Sequence, residues 1–125
     1  MKYTTLTSVF VTADFVGFHR WPTAPDRRAY LRELHRHLFK VHLEISVSHD
    51  NREIEYHDLK EGLENWILSL TAPRHDFMVW SCERMATNFL DWARQEYPDR
   101  EYYQAEVSED GENGSIAEAW TAEER

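Results

Sequence analysis

The stretch "ELHRHLFKVHLEISVSH", residues 33–49, alternates its side chains with a period of two. Its odd positions run His35, His37, Phe39, Val41, Leu43, Ile45, Val47, and its even positions run Arg36, Leu38, Lys40, His42, Glu44, Ser46, Ser48. That pattern predicts a strand over 34–48 with one face buried and the other wet. His35 and His37 carry the buried parity. Two residues apart on a strand, both imidazoles lie on one side and can converge on a single metal ion. His42 has the outward parity, and His49 falls in the turn "SHDNRE". A His-x-His pair alone fits a pair of structural histidines as well as a metal site, so its neighbours matter.

Upstream, residues 3–19 read as a long strand. Val9, Val11, Ala13, Phe15 and Gly17 form one face and lead to His19 at the same parity. "RWPTAPDRRAY" interrupts the pattern with two prolines and reads as a loop. If the two strands are neighbours, His19, His35 and His37 meet at one end of a sheet. Three histidines with an open fourth position is the arrangement of catalytic zinc.

Downstream, Glu53–Tyr56 reads as a short returning strand. Asp58 is a candidate N-cap for a helix over 59–70, with Leu59, Leu63, Trp66, Ile67 and Leu70 on one face. A second helix begins after Ser81, carries Met85, Ala86, Phe89 and Ala93 as its stripe, and stops before Pro98. Residues 102–109 form a strand with Tyr103, Ala105, Val107 and Glu109 on one face. "DGENG" is a hairpin turn, Ile116–Trp120 a closing strand, and "TAEER" an acidic tail. The expected fold is α+β in one domain over 1–125: a four-stranded antiparallel sheet, order ββααββ, with two helices packed on one face. Such a sheet leaves its other face bare, which points to a homo-oligomer.

The composition agrees. The chain has 125 residues, 42% apolar and 14% aromatic, enough for a core in a single domain. A net charge of −9 argues against a general nucleic-acid binder. No apolar run approaches the ~20 residues of a membrane span, and the first residues lack the apolar stretch of a signal peptide. The single cysteine, Cys82, allows no intrachain disulfide, so a cytoplasmic location is expected.

Glu109 stands out as an inward carboxylate beyond Val107. A buried carboxylate is costly unless it is paired. It is either a strand end already at solvent or the anchor for a ligand with adjacent N–H donors. The amino-pyrimidine edge of a guanine or pterin is such a ligand, because a carboxylate accepts two parallel hydrogen bonds.

Five stretches, taken in order, resemble the 6-pyruvoyltetrahydropterin and 6-carboxytetrahydropterin synthase family, which has the tunnelling fold. "DFVGFHRWP" resembles the first strand with its zinc histidine, and "LHRHLFKVHLEISV" the Leu-His-Gly-His strand. "REIEYHDLKEGL" resembles the entry to the first helix, "SCERMATNFLDWA" the start of the second, and "VSEDGENGSI" the last hairpin with its pterin-binding glutamate. The resemblance implies His19, His35 and His37 as zinc ligands, Glu109 as pterin anchor, and a dimer of trimers. It implies a zinc-dependent lyase acting on 7,8-dihydroneopterin triphosphate or a related pterin, in queuosine or deazaguanine, folate or biopterin chemistry.

The family's catalytic cysteine precedes the His-x-His pair by four residues, where this chain has Leu31. A related branch uses a glutamate instead, and Glu33 is near that position. The family's Asp-His pair has a rough counterpart in "PRHDF", giving His75 with Asp76 as acid–base candidates. Cys82, at a helix start, is a further candidate as a reactive thiol. Arg27, Arg28 and Arg36 could rim a triphosphate site. The alternative function is a non-catalytic tunnelling-fold protein that binds a pterin, purine or nucleotide through Glu109. A structural protein with neither zinc nor ligand is the third.

Overall fold

The computed structural model describes residues 1–71 and 79–121. The elements are β1 (Thr7–His19), a 3-10 segment (Asp26–Arg32), β2 (His35–Val47), α1 (Tyr56–Thr71), α2 (Cys82–Glu96), β3 (Tyr102–Glu109) and β4 (Asn113–Trp120). The four strands form one antiparallel sheet in the order β1-β2-β3-β4. Both helices lie on one face, α1 over β1 and α2 over β3 and β4. The α+β architecture is the one expected from the sequence, with the 3-10 segment as an added third helix.

The odd-numbered strand residues make the core floor. Phe39, Val41, Leu43, Ile45, Ala105 and Val107 are essentially inaccessible to solvent. Leu59, Leu63 and Ile67 of α1 and Met85, Ala86, Phe89 and Ala93 of α2 close over them. Each fully buried large apolar side chain contributes about 1.5–3 kcal/mol relative to exposure. The opposite face is wetter and carries exposed Phe10, Val16 and Ile116. No helix of the described residues is long and apolar enough to cross a membrane.

Four local expectations change. β1 begins at Thr7, not at residue 3, because β2 ends at Val47, the partner of Thr7. Glu53–Tyr56 is not a strand. The Glu53 carboxylate accepts from the Ser48 N–H (2.9 Å) and hydroxyl (2.5 Å), and Arg52 has φ +54°, so the chain turns there. Helix α1 starts before Asp58, since the Asp58 and Leu59 N–H groups donate to the Glu55 carbonyl. The proline loop folds into 3-10 turns over Asp26–Arg32. Ser81 is the N-cap of α2 as expected, accepting from Arg84 N–H at 3.1 Å.

Candidate metal centre

The register brings the histidines together. His19 ends β1 and faces His35 at the start of β2, and Gly17 faces His37. The link between these strands is tied back by Trp21 N–H donating to the Leu31 carbonyl (2.7 Å) and Arg32 Nε to the Ala24 carbonyl (2.8 Å). The third strand adds Glu109, the partner of Phe39. The Phe39 ring is the floor: its centroid lies 5.2 Å from that of His19 and 5.8 Å from that of His37, both edge to face. Gly17 makes room for it. A Cβ there would come within 2.9 Å of the Phe39 ring, which is itself fully buried.

Each imidazole is held by its Nδ1. His19 Nδ1–H donates to the Trp80 carbonyl at 2.8 Å and His35 Nδ1–H to the Glu33 carbonyl at 2.9 Å. His37 Nδ1–H donates to Asp110 Oδ2 at 2.8 Å. A carbonyl oxygen only accepts, so the proton of His19 and of His35 sits on Nδ1. The three Nε2 atoms are thereby left as lone-pair donors. Ring centroids are 4.5 Å (His19–His35), 5.0 Å (His35–His37) and 5.5 Å (His19–His37) apart. One ligating atom from each histidine and one carboxylate oxygen of Glu109 all lie within 4.8 Å of one another. The group can hold a metal ion.

The most buried atom of the donor set shows how well the group fits a cation. His19 is 7% exposed, and its Nε2 has no hydrogen-bond partner among the described residues although Glu109 Oε2 stands 2.8 Å away. With the proton on Nδ1, the contact sets a lone pair against a carboxylate, two acceptors face to face. Burial, the largest cause, holds the His19 pKa below the ordinary 6.5 and favours the neutral ring, against the opposing effect of the Trp80 hydrogen bond. A cation satisfies both acceptors at once. Glu109 Oε2 is also 3.6 Å from His37 Nε2. The two distances straddle the roughly 3.4 Å that separates ligand atoms in a tetrahedral site with bonds of about 2.0–2.2 Å. Imidazole and carboxylate donors suit zinc among divalent ions.

An open cleft of about 630 Å³ reaches this group, lined among others by His19, His35, Glu109, Leu31 and Cys82. Leu31 thus borders the site at the place where the resemblance puts a cysteine. Cys82 is buried, and its thiol is pushed up to about 12 by burial first and by Glu109 and Glu83 next. The helix start does not make it a thiolate. Glu33 is exposed, and it is its carbonyl, not its carboxylate, that serves the site. His75 and Asp76 lie outside the described residues. Arg36 projects from the other sheet face, and Arg27 and Arg28 do not line the cleft. Among the described residues the cation that does is Arg20, whose place in the sequence gave no sign of it. His42 stacks on Phe10 (4.8 Å) and His49 lies 3.5 Å from Glu53, both away from the group.

Asp110 was also missed. It reads in sequence as a turn residue before Gly111, and it is one: φ is +58° at Asp110 and +74° at Gly111. Glu112 N–H closes the turn on the Glu109 carbonyl at 3.0 Å. The hydrogen bond from His37, then that from Leu38 N–H, holds the Asp110 carboxyl below its usual range, so it is ionised and accepts.

No family model matches the chain, and no curated protein matches it. Among solved structures the chain is similar to the uncharacterized protein WS1659 from Wolinella succinogenes, with a TM-score of 0.66 and 15% identity over 94% of this chain and 99% of that one. At that identity the likeness is one of fold.

Proposed function

We propose that this chain is a zinc-dependent lyase of the pterin synthase type, acting on 7,8-dihydroneopterin triphosphate or a related pterin. The observation that carries the reading is the convergence of three Nδ1-anchored imidazoles beside Glu109, with His19, His35 and Glu109 lining one cleft. The sequence resemblance supplies the substrate class. His19, His35 and His37 hold the zinc, which when bound polarises a substrate oxygen as a Lewis acid. Glu109, whose carboxylate stands at the metal's fourth position in this structure, gives that position up to the substrate oxygen and accepts the paired N–H donors of the amino-pyrimidine edge, orienting the ring. Arg20 offers a charge to an anionic substituent from the cleft wall. Proton transfer at carbon falls to His75 with Asp76, the pair that the resemblance implies. Edge strands β1 and β4 and the exposed apolar residues of the open face support assembly into a homo-oligomer, the dimer of trimers of that family.

One observation favours a second reading, a non-catalytic protein that binds a pterin or purine through Glu109. Leu31 occupies the cysteine position, and the Cys82 thiol at about 12 is protonated at neutral pH. Zinc-loaded protein incubated with 7,8-dihydroneopterin triphosphate separates the two. The lyase consumes it by mass spectrometry, and His37→Ala abolishes the consumption. Pterin binding by calorimetry without consumption assigns the binder. Failure to take up zinc overturns the metal site and the lyase reading with it, and leaves the binder, which needs only Glu109.

A further inference from the structure

Two of the three imidazoles are fixed by main-chain carbonyls, those of Trp80 and Glu33. Only His37, among the described residues of the group, is fixed by a side chain. Asp110 does this with both oxygens engaged. Oδ2 accepts from His37 Nδ1–H at 2.8 Å, and Oδ1 accepts from Leu38 N–H at 3.0 Å. The Asp110 N–H in turn donates to the Leu38 carbonyl at 2.7 Å. The turn between β3 and β4 is thus bound to β2 next to the ligand His37, and it is the turn that follows Glu109. We propose that Asp110 is a positioning residue that fixes His37 in the Nδ1–H tautomer and so aims its Nε2 lone pair at the metal. This rests on the metal-site reading above.

The argument is one of donors and acceptors. An imidazole that donates from Nδ1 must present a lone pair at Nε2, and a group that forced Nδ1 to accept would put the proton on Nε2 and block ligation. Outer partners of metal-bound histidines set the tautomer in this way, and their loss typically costs about 10–100-fold in metal affinity. Asp110 sits between two donors, His37 Nδ1–H and Leu38 N–H, and meets both with acceptors only. An asparagine cannot. With its Oδ1 on Leu38 N–H, its NH₂ faces His37 Nδ1 and imposes the wrong tautomer. Turning the amide over moves the clash to Leu38 N–H.

That chemistry separates a tautomer role from a mere turn role. Asp110 has φ +58°, a conformation that asparagine adopts readily and alanine does not. If Asp110 serves only the turn, Asp110→Asn is benign and Asp110→Ala is the damaging change. If it sets the tautomer, the order reverses for zinc. We expect Asp110→Asn to lose about 10–100-fold in zinc affinity and Asp110→Ala to lose less, since a free ring still reaches the Nδ1–H form.

The experiment has two readouts on the full chain. Zinc affinity is measured by competition with a chromophoric chelator. The ring tautomer of His37 is read from long-range proton–nitrogen spectra of the metal-free protein, at a pH above the histidine range. Thermal melts of the metal-free variants check folding. His37 in the Nδ1–H form in the wild type and the Nε2–H form in Asp110→Asn, with the affinity order wild type, Ala, Asn, supports the proposal. An Asp110→Asn variant with wild-type affinity, or with the Nδ1–H tautomer, overturns it. A wild type that binds no zinc overturns the metal-site reading instead, and the tautomer readout still judges Asp110 on its own.

Discussion

The two ends of the sheet carry similar polar groups to different ends. At one end, Glu53 accepts from Ser48 N–H and hydroxyl and forms an ion pair with Arg100. Close by, the Ser46 hydroxyl accepts from Tyr102 N–H at 2.9 Å, and the Tyr103 hydroxyl donates to the Tyr97 carbonyl at 2.5 Å. These groups answer one another, although Arg100 Nε is buried without a partner among the described residues. At the other end, among the described residues, His19, His35 and His37 each find their hydrogen-bond partner at Nδ1. One ligating atom of each and a Glu109 oxygen lie within 4.8 Å of one another, and the buried His19 Nε2 faces Glu109 Oε2 at 2.8 Å, acceptor to acceptor. Buried polar atoms that meet donor to acceptor are structural. Buried acceptors that meet only acceptors call for a cation.

The largest effect expected from this contrast is the loss of zinc binding in His19→Ala or His37→Ala. Removing a ligand should exceed the ~10–100-fold cost of an outer partner, read by metal analysis and chelator competition. Chelation should then lower the melting temperature of the wild type. Zinc at 1,000 times its dissociation constant stabilises the fold by about 4 kcal/mol, and a scan with and without chelator measures the difference. At the other end, Glu53→Gln should destabilise by about 1.5–3 kcal/mol in denaturant melts, yet leave zinc affinity unchanged. A shared effect on zinc would erase the distinction between the ends.

The smallest effect concerns Cys82. The fold raises its pKa from 9.0 to about 12, mainly by burial, so the fold favours the neutral thiol. The stability this gives is fully present below pH 9.0 and is lost as pH rises from there toward 12. Iodoacetamide should therefore label Cys82 slowly at neutral pH in the native protein and rapidly in denaturant. Rapid native labelling would revive the reactive-thiol reading.

Much of the site was legible in one strand. Alternation through Phe39, Val41, Leu43 and Ile45 placed His35 and His37 on the buried side, and the same parity in β1 placed His19 with them. The exact register, His19 opposite His35, came from the structure, because alternation sets the buried face but tolerates shifts of two residues. The Glu53–Tyr56 segment was misread because its short pattern could not show that Glu53 folds back on Ser48. Asp110 was illegible as a site residue for a related reason. An Asp-Gly pair announces a turn, but nothing local says that the turn's carboxylate reaches a strand some seventy residues earlier.

The sequence by itself determined the α+β order of elements, the core face and the set of inward-pointing histidines, because period-two and helical patterns are local consequences of burial. Only the tertiary structure decided which nitrogen of each ring is free. That depends on the Trp80 and Glu33 carbonyls and on Asp110, partners supplied by chain positions up to 73 residues away, and a ring's tautomer is set by its partner and not by its own residue type.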